Sequence, residues 1–274
     1  MCTLTFLSID GGIRLLHSRD EQRNRSEGLP PSLWTAGAYR LLSPRDPDAG
    51  GTWAALRDDG VILAVMNRNP EPAPTLDRST LRSRGLLIES LAGLRPGELA
   101  HGLRSIEAAR YAPFRAFAAI PAGLTDAETT DRPVVHAAEW DRSDPSEDAR
   151  PVVTSHELPC CWASSGLGDS VVADRLPLFE TIVRPDPSPA AQDAYHHHAW
   201  EGRGAASVFM SRTDARTVSI TTVESAARSV GPDTPQPLRM TYLPLAPGGA
   251  ITDPLIPGEP VSAALEPRNL ASQP

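Results

Sequence analysis

Cys2-Thr3-Leu4-Thr5-Phe6-Leu7-Ser8-Ile9-Asp10-Gly11-Gly12-Ile13-Arg14-Leu15-Leu16-His17-Ser18-Arg19-Asp20-Glu21 is the stretch on which the reading of this chain turns. Thr3 to Ile9 and Ile13 to His17 are short apolar runs that read as strands, and Asp10-Gly11-Gly12 between them is a strong hairpin signal. A two-residue loop at Asp10-Gly11 sets Cys2 opposite Arg19, a loop at Gly11-Gly12 sets it opposite Glu21, and a three-residue loop sets it opposite Asp20. In every register Cys2 meets the charged cluster, with directly opposed Cβ atoms about 5 Å apart. The pattern leaves the register open.

Cys2 carries the chemical interest. Once Met1 is removed, which a small second residue permits, one residue holds both a thiol and a free α-amine. An unperturbed α-amine titrates at about 7.7 to 8.0 and a thiol at about 8.5, so the amine serves as base for its own side chain near neutral pH. Arg19 is expected to favour the thiolate, and Asp20 to orient the ammonium and hold Arg19.

The length of 274 residues suits one large domain, 1–274, without a linker, and 244–274, rich in proline, glycine and alanine, is expected to pack loosely. The N-terminus lacks a basic region before an apolar core, which argues against a signal peptide, and no apolar run approaches a membrane span of about 20 residues. A net charge of -8 argues against a nucleic-acid partner. All 26 basic residues are arginine, so the terminal α-amine is the only aliphatic amine. Three cysteines, Cys2, Cys160 and Cys161, form no disulfide framework or metal-ligand spacing, which fits a cytoplasmic protein without a metal site.

Along the chain, 21–48 reads as a long irregular segment with Trp34 and Tyr39 embedded; Arg23 and Arg25 either extend the basic side of the site or are solvated loop charges. Asp59-Gly60 marks a second hairpin that sets Thr52 beside Asn67, a strand-end asparagine that can cap the next turn. The spacing predicts helices over 79–94, with Ser79 as N-cap, over 96–109 and over 174–183, and a helix over 190–199 ending in an exposed His196-His197-His198 cluster. Strands are expected at 114–120, 134–140, 152–155, 160–163, 207–211, 216–223 and 238–243. The Ser164 to Asp169 cluster offers an anion nest or, as the better reading, a loop into a helix, and Arg212 and Asp214 read as a surface turn. Hairpins with segregated helices and no repeating βαβ pattern give an α+β protein of mainly antiparallel sheets.

Met1-Cys2-Thr3-Leu4, Ser18-Arg19-Asp20-Glu21, Asp48-Ala49-Gly50-Gly51-Thr52-Trp53, Asn67-Arg68 and Ser83-Arg84-Gly85-Leu86-Leu87 occur in the order seen in the NRDE family. The chain resembles a bacterial member of that family, which is related to transport and Golgi organisation proteins and grouped with the N-terminal nucleophile hydrolases. The likeness is specific over roughly the first ninety residues. Ser18 stands where the motif has asparagine, and Met66 where threonine is common. The resemblance implies a four-layer α/β/β/α sandwich and two alternative functions. One is a cysteine amidohydrolase of a linear amide, with Cys2, Arg19, Asp20 and Asn67 catalytic and Glu21, Arg23 and Arg212 contacting substrate. The other is a non-catalytic handling protein for haem or acyl lipid using the same pocket, with Cys2, His17 and His196 to His198 as the available axial ligands.

Overall fold

In the computed structural model the first hairpin closes in the register that opposes Cys2 to Arg19. Strand β1 (Cys2–Ile9) pairs antiparallel with β2 (Gly12–Gln22) from Ile9↔Gly12 to Cys2↔Arg19, although the Asp10-Gly11 turn itself lies outside the described residues. The structure describes residues 2–9, 12–77, 79–124, 132–144, 146, 148–225, 238–246 and 255–268.

Residues 21–48 are not irregular. They hold strands β3 (Leu29–Ala36) and β4 (Tyr39–Arg45), paired about Ala36↔Tyr39, with Gly37 at φ 58° in the tight turn. Pro30 and Pro31 hid β3 from the sequence reading; they are tolerated because β3 is an edge strand. The Asp59-Gly60 hairpin forms between β5 (Ala54–Arg57) and β6 (Ile62–Asn67), but its register pairs Leu56 with Ile62 and Ala54 with Ala64, which does not oppose Thr52 to Asn67. The cause is a longer turn. The Gly60 amide donates to the Arg57 carbonyl, and Gly60 takes φ 87° as the residue that completes a three-residue loop.

Helix α1 is only Leu86–Ala92, and Ser79 is a loop residue outside it. The second predicted helix is broken into a 3₁₀ turn at Pro96–Glu98, helix α2 (Leu99–Arg104) and a further turn at Ala108–Arg110. Pro96 opens the first turn, where a missing amide costs nothing, and Glu98 accepts from the Arg95 amide. The remaining elements are β7 (Phe114–Ile120), β8 (Val134–Trp140), β9 (Val152–His156), β10 (Cys160–Ser164), α3 (Arg175–Ile182), α4 (Pro189–His196), β11 (Ala215–Ser225), β12 (Leu238–Ala246), β13 (Ile256–Pro257) and β14 (Val261–Leu265). Residues 207–211 form no strand, and in the described part of 244–274 β14 pairs with β12 and Leu265 is buried.

Two sheets result. One runs β10-β1-β2-β11-β12-β13, with β14 also on β12; the other is the meander β3 to β9 in chain order. Every strand pair in them is antiparallel. Alternation along the strands decides what each face does. Leu4, Phe6, Ile13 and Leu15 join Ala64, Met66 and Phe117 of the meander in one core cluster between the sheets. Leu41, Leu63 and Ala118 face the other way and pack under α1 and α2 with Leu87, Leu91 and Leu103. Leu7 meets Phe179 of α3 and Tyr195 of α4. The fold is thus mixed α+β, and none of its helices among the described residues is long and apolar enough to cross a membrane.

Candidate active site

Cys2 begins β1 and lies between Arg19 of β2 and Ser164 of β10, its two register partners. It is 7% exposed and lines a cleft of about 1060 Å³. Arg19, Asp20, Glu21, Asn67 and Arg212 line the same cleft, so the fold gathers residues far apart in sequence. Arg23 does not. It donates to the Arg212 carbonyl (2.9 Å) and to Ser211 Oγ (2.8 Å), holding the turn that presents Arg212.

Arg19 is fixed from three directions. Its guanidinium lies 4.9 Å above the centre of the Trp53 ring, Nη2 donates to Asp46 Oδ2 at 2.9 Å, and Glu21 sits at 3.5 Å. Arg25 donates to that same Asp46 oxygen at 2.9 Å. Burial works against the Asp46 charge, but the Arg25 and Ala49 hydrogen bonds with both guanidinium charges hold its carboxyl below the usual carboxylate range. Arg25 therefore belongs to the site's ion-pair lattice.

Asp20 does not hold Arg19. Neighbouring strand residues point to opposite faces, and Asp20 turns to the helical side, where Oδ2 accepts from Arg175 of α3 (3.2 Å) and Oδ1 from the Thr217 hydroxyl (2.7 Å). That alternation was available in the sequence; Arg175 carried no signal of its own. The thiol also departs from expectation. Burial pushes the Cys2 thiol up, outweighing the downward pull of the N-terminal charge and of Arg19, while Asp20 and Glu21 add to the rise. The site therefore biases the thiol towards its neutral form.

Asn67 ends β6 half-buried at the cleft, and its side chain makes no hydrogen bond to another described residue. Asn69, which the sequence reading passed over, donates from Nδ2 to Ser164 Oγ at 2.9 Å on the strand that pairs with β1. The Ser164 to Asp169 loop is occupied from within, since Asp169 Oδ1 accepts from the amides of Ser165 and Asn69, each at 3.2 Å. Arg212 pairs with Asp214 at 2.7 Å while also lining the cleft. One wall is the proline-rich stretch of Pro70, Pro72, Pro74, Leu76 and Leu81. Ser83-Arg84-Gly85 closes onto Gly51-Thr52 backbone to backbone: a Cβ on Gly51 would lie 2.7 Å from Gly85 Cα, and the Thr52 amide reaches the Gly85 carbonyl.

The histidines stand apart from the cleft. His196 is buried, not exposed, bridging Thr5 Oγ1 and Ser18 Oγ at 2.7 Å each. His17 is fully buried, both ring nitrogens are without a hydrogen-bond partner among the described residues, and burial drives its pKa down to about 3. No group of three or more His, Cys, Asp or Glu positioned to hold a metal ion occurs among the described residues. Cys160 and Cys161 are free thiols that burial pushes up, Cys161 to about 12, which leaves both poorly disposed to ionise near neutral pH.

Residues 1–125 match the family TANGO2, Transport and Golgi organisation 2. That span contains Cys2, Arg19, Asp20, Glu21, Arg23 and Asn67 and stops before Arg212. No curated protein matches the sequence. Among solved structures, the chain is similar to a Caenorhabditis elegans N-acylethanolamine-hydrolyzing acid amidase (NAAA) ortholog, with TM-score 0.50 and 10% identity over 81% of this chain and 92% of that one. It is also similar to penicillin V acylase from Agrobacterium tumefaciens, with TM-score 0.52 and 11% identity over 89% of this chain and 83% of that one. At such identities the likeness is one of fold, which is N-terminal nucleophile hydrolase-like.

Proposed function

We propose that this chain is an N-terminal cysteine hydrolase of a linear amide, built as a four-layer α/β/β/α sandwich. The observation that carries the reading is the position of Cys2: second in sequence, opposed to Arg19, and lining a cleft of about 1060 Å³. Removal of Met1 gives Cys2 its own α-amine within reach of its thiol.

The thiol proton passes to that amine as sulfur attacks the amide carbon, and the carbonyl electrons move onto oxygen. Arg19 offers positive charge beside the sulfur, and the unengaged amide of Asn67 donates to the oxyanion. Collapse breaks the C–N bond, the departing nitrogen takes the proton from the ammonium, and a thioester remains on Cys2. Water then attacks the thioester, giving one proton to the α-amine and onward to the departing thiolate. The neutral thiol produced by burial suits this route, because the base is covalently attached to the nucleophile.

A second reading, handling of an acyl lipid or haem without turnover, draws on the size of the cleft and its proline-lined wall. For haem the fit is poor. Of the candidate axial ligands only Cys2 lines the cleft, while His17 and His196 are fully buried away from it.

Intact mass before and after an acyl β-lactone probe, compared with Cys2→Ala, tests the hydrolase. Loss of Met1 together with labelling that requires Cys2 is expected. Retained Met1, or labelling that survives the substitution, refutes it.

A further inference from the structure

Arg175 lies behind the nucleophile hairpin, on the helical side of the sheet, and touches both of its strands. Nη1 donates to Thr3 Oγ1 at 2.7 Å and to Asp20 Oδ2 at 3.2 Å, while Nε donates to the Ala206 carbonyl at 3.0 Å. Thr3 follows Cys2, Asp20 follows Arg19, and Cys2 and Arg19 are themselves register partners. The arginine is 1% exposed, and its own carbonyl accepts from the Tyr195 hydroxyl at 3.0 Å, tying α3 to α4 at that point. A buried cation thus clamps the two residues that follow the reacting pair.

We propose that Arg175 is a positioning residue for Cys2 and Arg19, fixing their separation through Thr3 and Asp20 and neutralising the Asp20 charge behind the thiol. The inference rests on the nucleophile reading of Cys2. Its physical content is that a buried carboxylate beside a thiol disfavours the thiolate unless a cation is bound to it. Asp20 does push the Cys2 thiol up, and Arg175 is the only charged side chain bonded to Asp20 among the described residues. The other charges around the thiol are the terminal α-ammonium, Arg19 and Glu21 on β2, Asp46 and Arg25 joined to Arg19, and Arg212 with Asp214 across the cleft. On the helical side the titratable groups near Arg175 are Cys161, Tyr195 and His196. All of these stay in place in the variants below.

The test is the pH dependence of Cys2 alkylation by iodoacetamide in the full chain lacking Met1, with the site of modification read by peptide mass. Arg175→Met leaves Asp20 uncompensated and is expected to raise the alkylation midpoint by about half a pH unit or more. Asp20→Asn leaves the arginine uncompensated and is expected to lower it. The double variant removes both charges and returns the midpoint towards the parent, yet alkylates severalfold more slowly because Thr3 has lost its clamp. Arg175→Lys keeps the charge and the parent midpoint.

Where Arg175→Met fails to fold, Asp20→Asn reads the same coupling with the opposite sign. An unmoved midpoint in whichever of Arg175→Met and Asp20→Asn folds overturns the proposal. Failure of every variant to fold also overturns it, because Arg175 is then a residue of the fold alone. Amide turnover is scored separately. Shifted midpoints without hydrolysis of any amide refute the hydrolase and leave the positioning role standing, whereas hydrolysis with unmoved midpoints refutes the positioning role only.

Discussion

Replacing His17 by leucine should make the protein less sensitive to mild acid without weakening it at neutral pH. His17 is fully buried, both of its ring nitrogens lack partners among the described residues, and its pKa falls from 6.5 to about 3. Folding therefore denies the imidazole a proton that the unfolded chain binds. Because the folded pKa lies below the unfolded one, the native state is at full strength above about pH 7.5 and weakens as the pH drops through 6.5 towards 3. At about pH 5 the unfolded histidine is almost wholly protonated and the native one is not, a loss of about 2 kcal/mol for this group. That figure is set by the unfolded pKa and barely changes if the folded value is a unit higher. Leucine suits the site because Leu4, the register partner, and Leu15, two residues earlier on the same face, are already 0% exposed. Urea unfolding of parent and His17→Leu at about pH 7.5 and pH 5 measures the difference. His196, which burial drives in the same direction, is common to both proteins and cancels. The parent should lose about 2 kcal/mol more than the variant between the two pH values. Equal losses would show that His17 is not held neutral in the core.

Asp46→Asn should loosen Arg19 and Arg25 together, since one oxygen receives both, at a loss of about 1 kcal/mol after allowance for partial exposure. Because the folded Asp46 pKa is lowered, its contribution is present above the unfolded carboxylate pKa, so parent and variant should converge in stability below about pH 4. Gly85→Ala places a Cβ 2.9 Å from the Thr52 amide nitrogen, where only backbone can yield; a destabilisation of about 1–3 kcal/mol by urea titration is expected, with slower Cys2 labelling. If the proposed hydrolase reaction holds, Asn67→Ala should lower kcat by about 100-fold with little change in KM, and a rise in KM at unchanged kcat would make Asn67 a binding residue instead.

The first hairpin was legible because Asp-Gly turn chemistry and apolar runs are local, and β7 and β8 were bounded correctly for the same reason. β3 was missed where Pro30-Pro31 contradicts strand propensity, since only an edge position makes prolines acceptable, and edges are a property of the whole sheet. The 79–94 helix was overextended because Leu81 keeps helical spacing yet lines the cleft, and Gly85 is pinned to Gly51.

What the sequence determined by itself was a thiol with charged neighbours: Cys2, the hairpin signal, and Arg19, Asp20 and Glu21 within pairing distance. The division of labour among those charges belonged to the tertiary structure. Asp46 lies 27 residues from Arg19 and Arg175 lies 155 from Asp20, separations at which turn and period signals carry nothing. Packing placed Arg19 over Trp53, turned Asp20 to a buried arginine and excluded water from the thiol, and so reversed the thiolate bias that Arg19 alone would give. Charge identity is written locally, but the dielectric around a charge is set by everything folded against it.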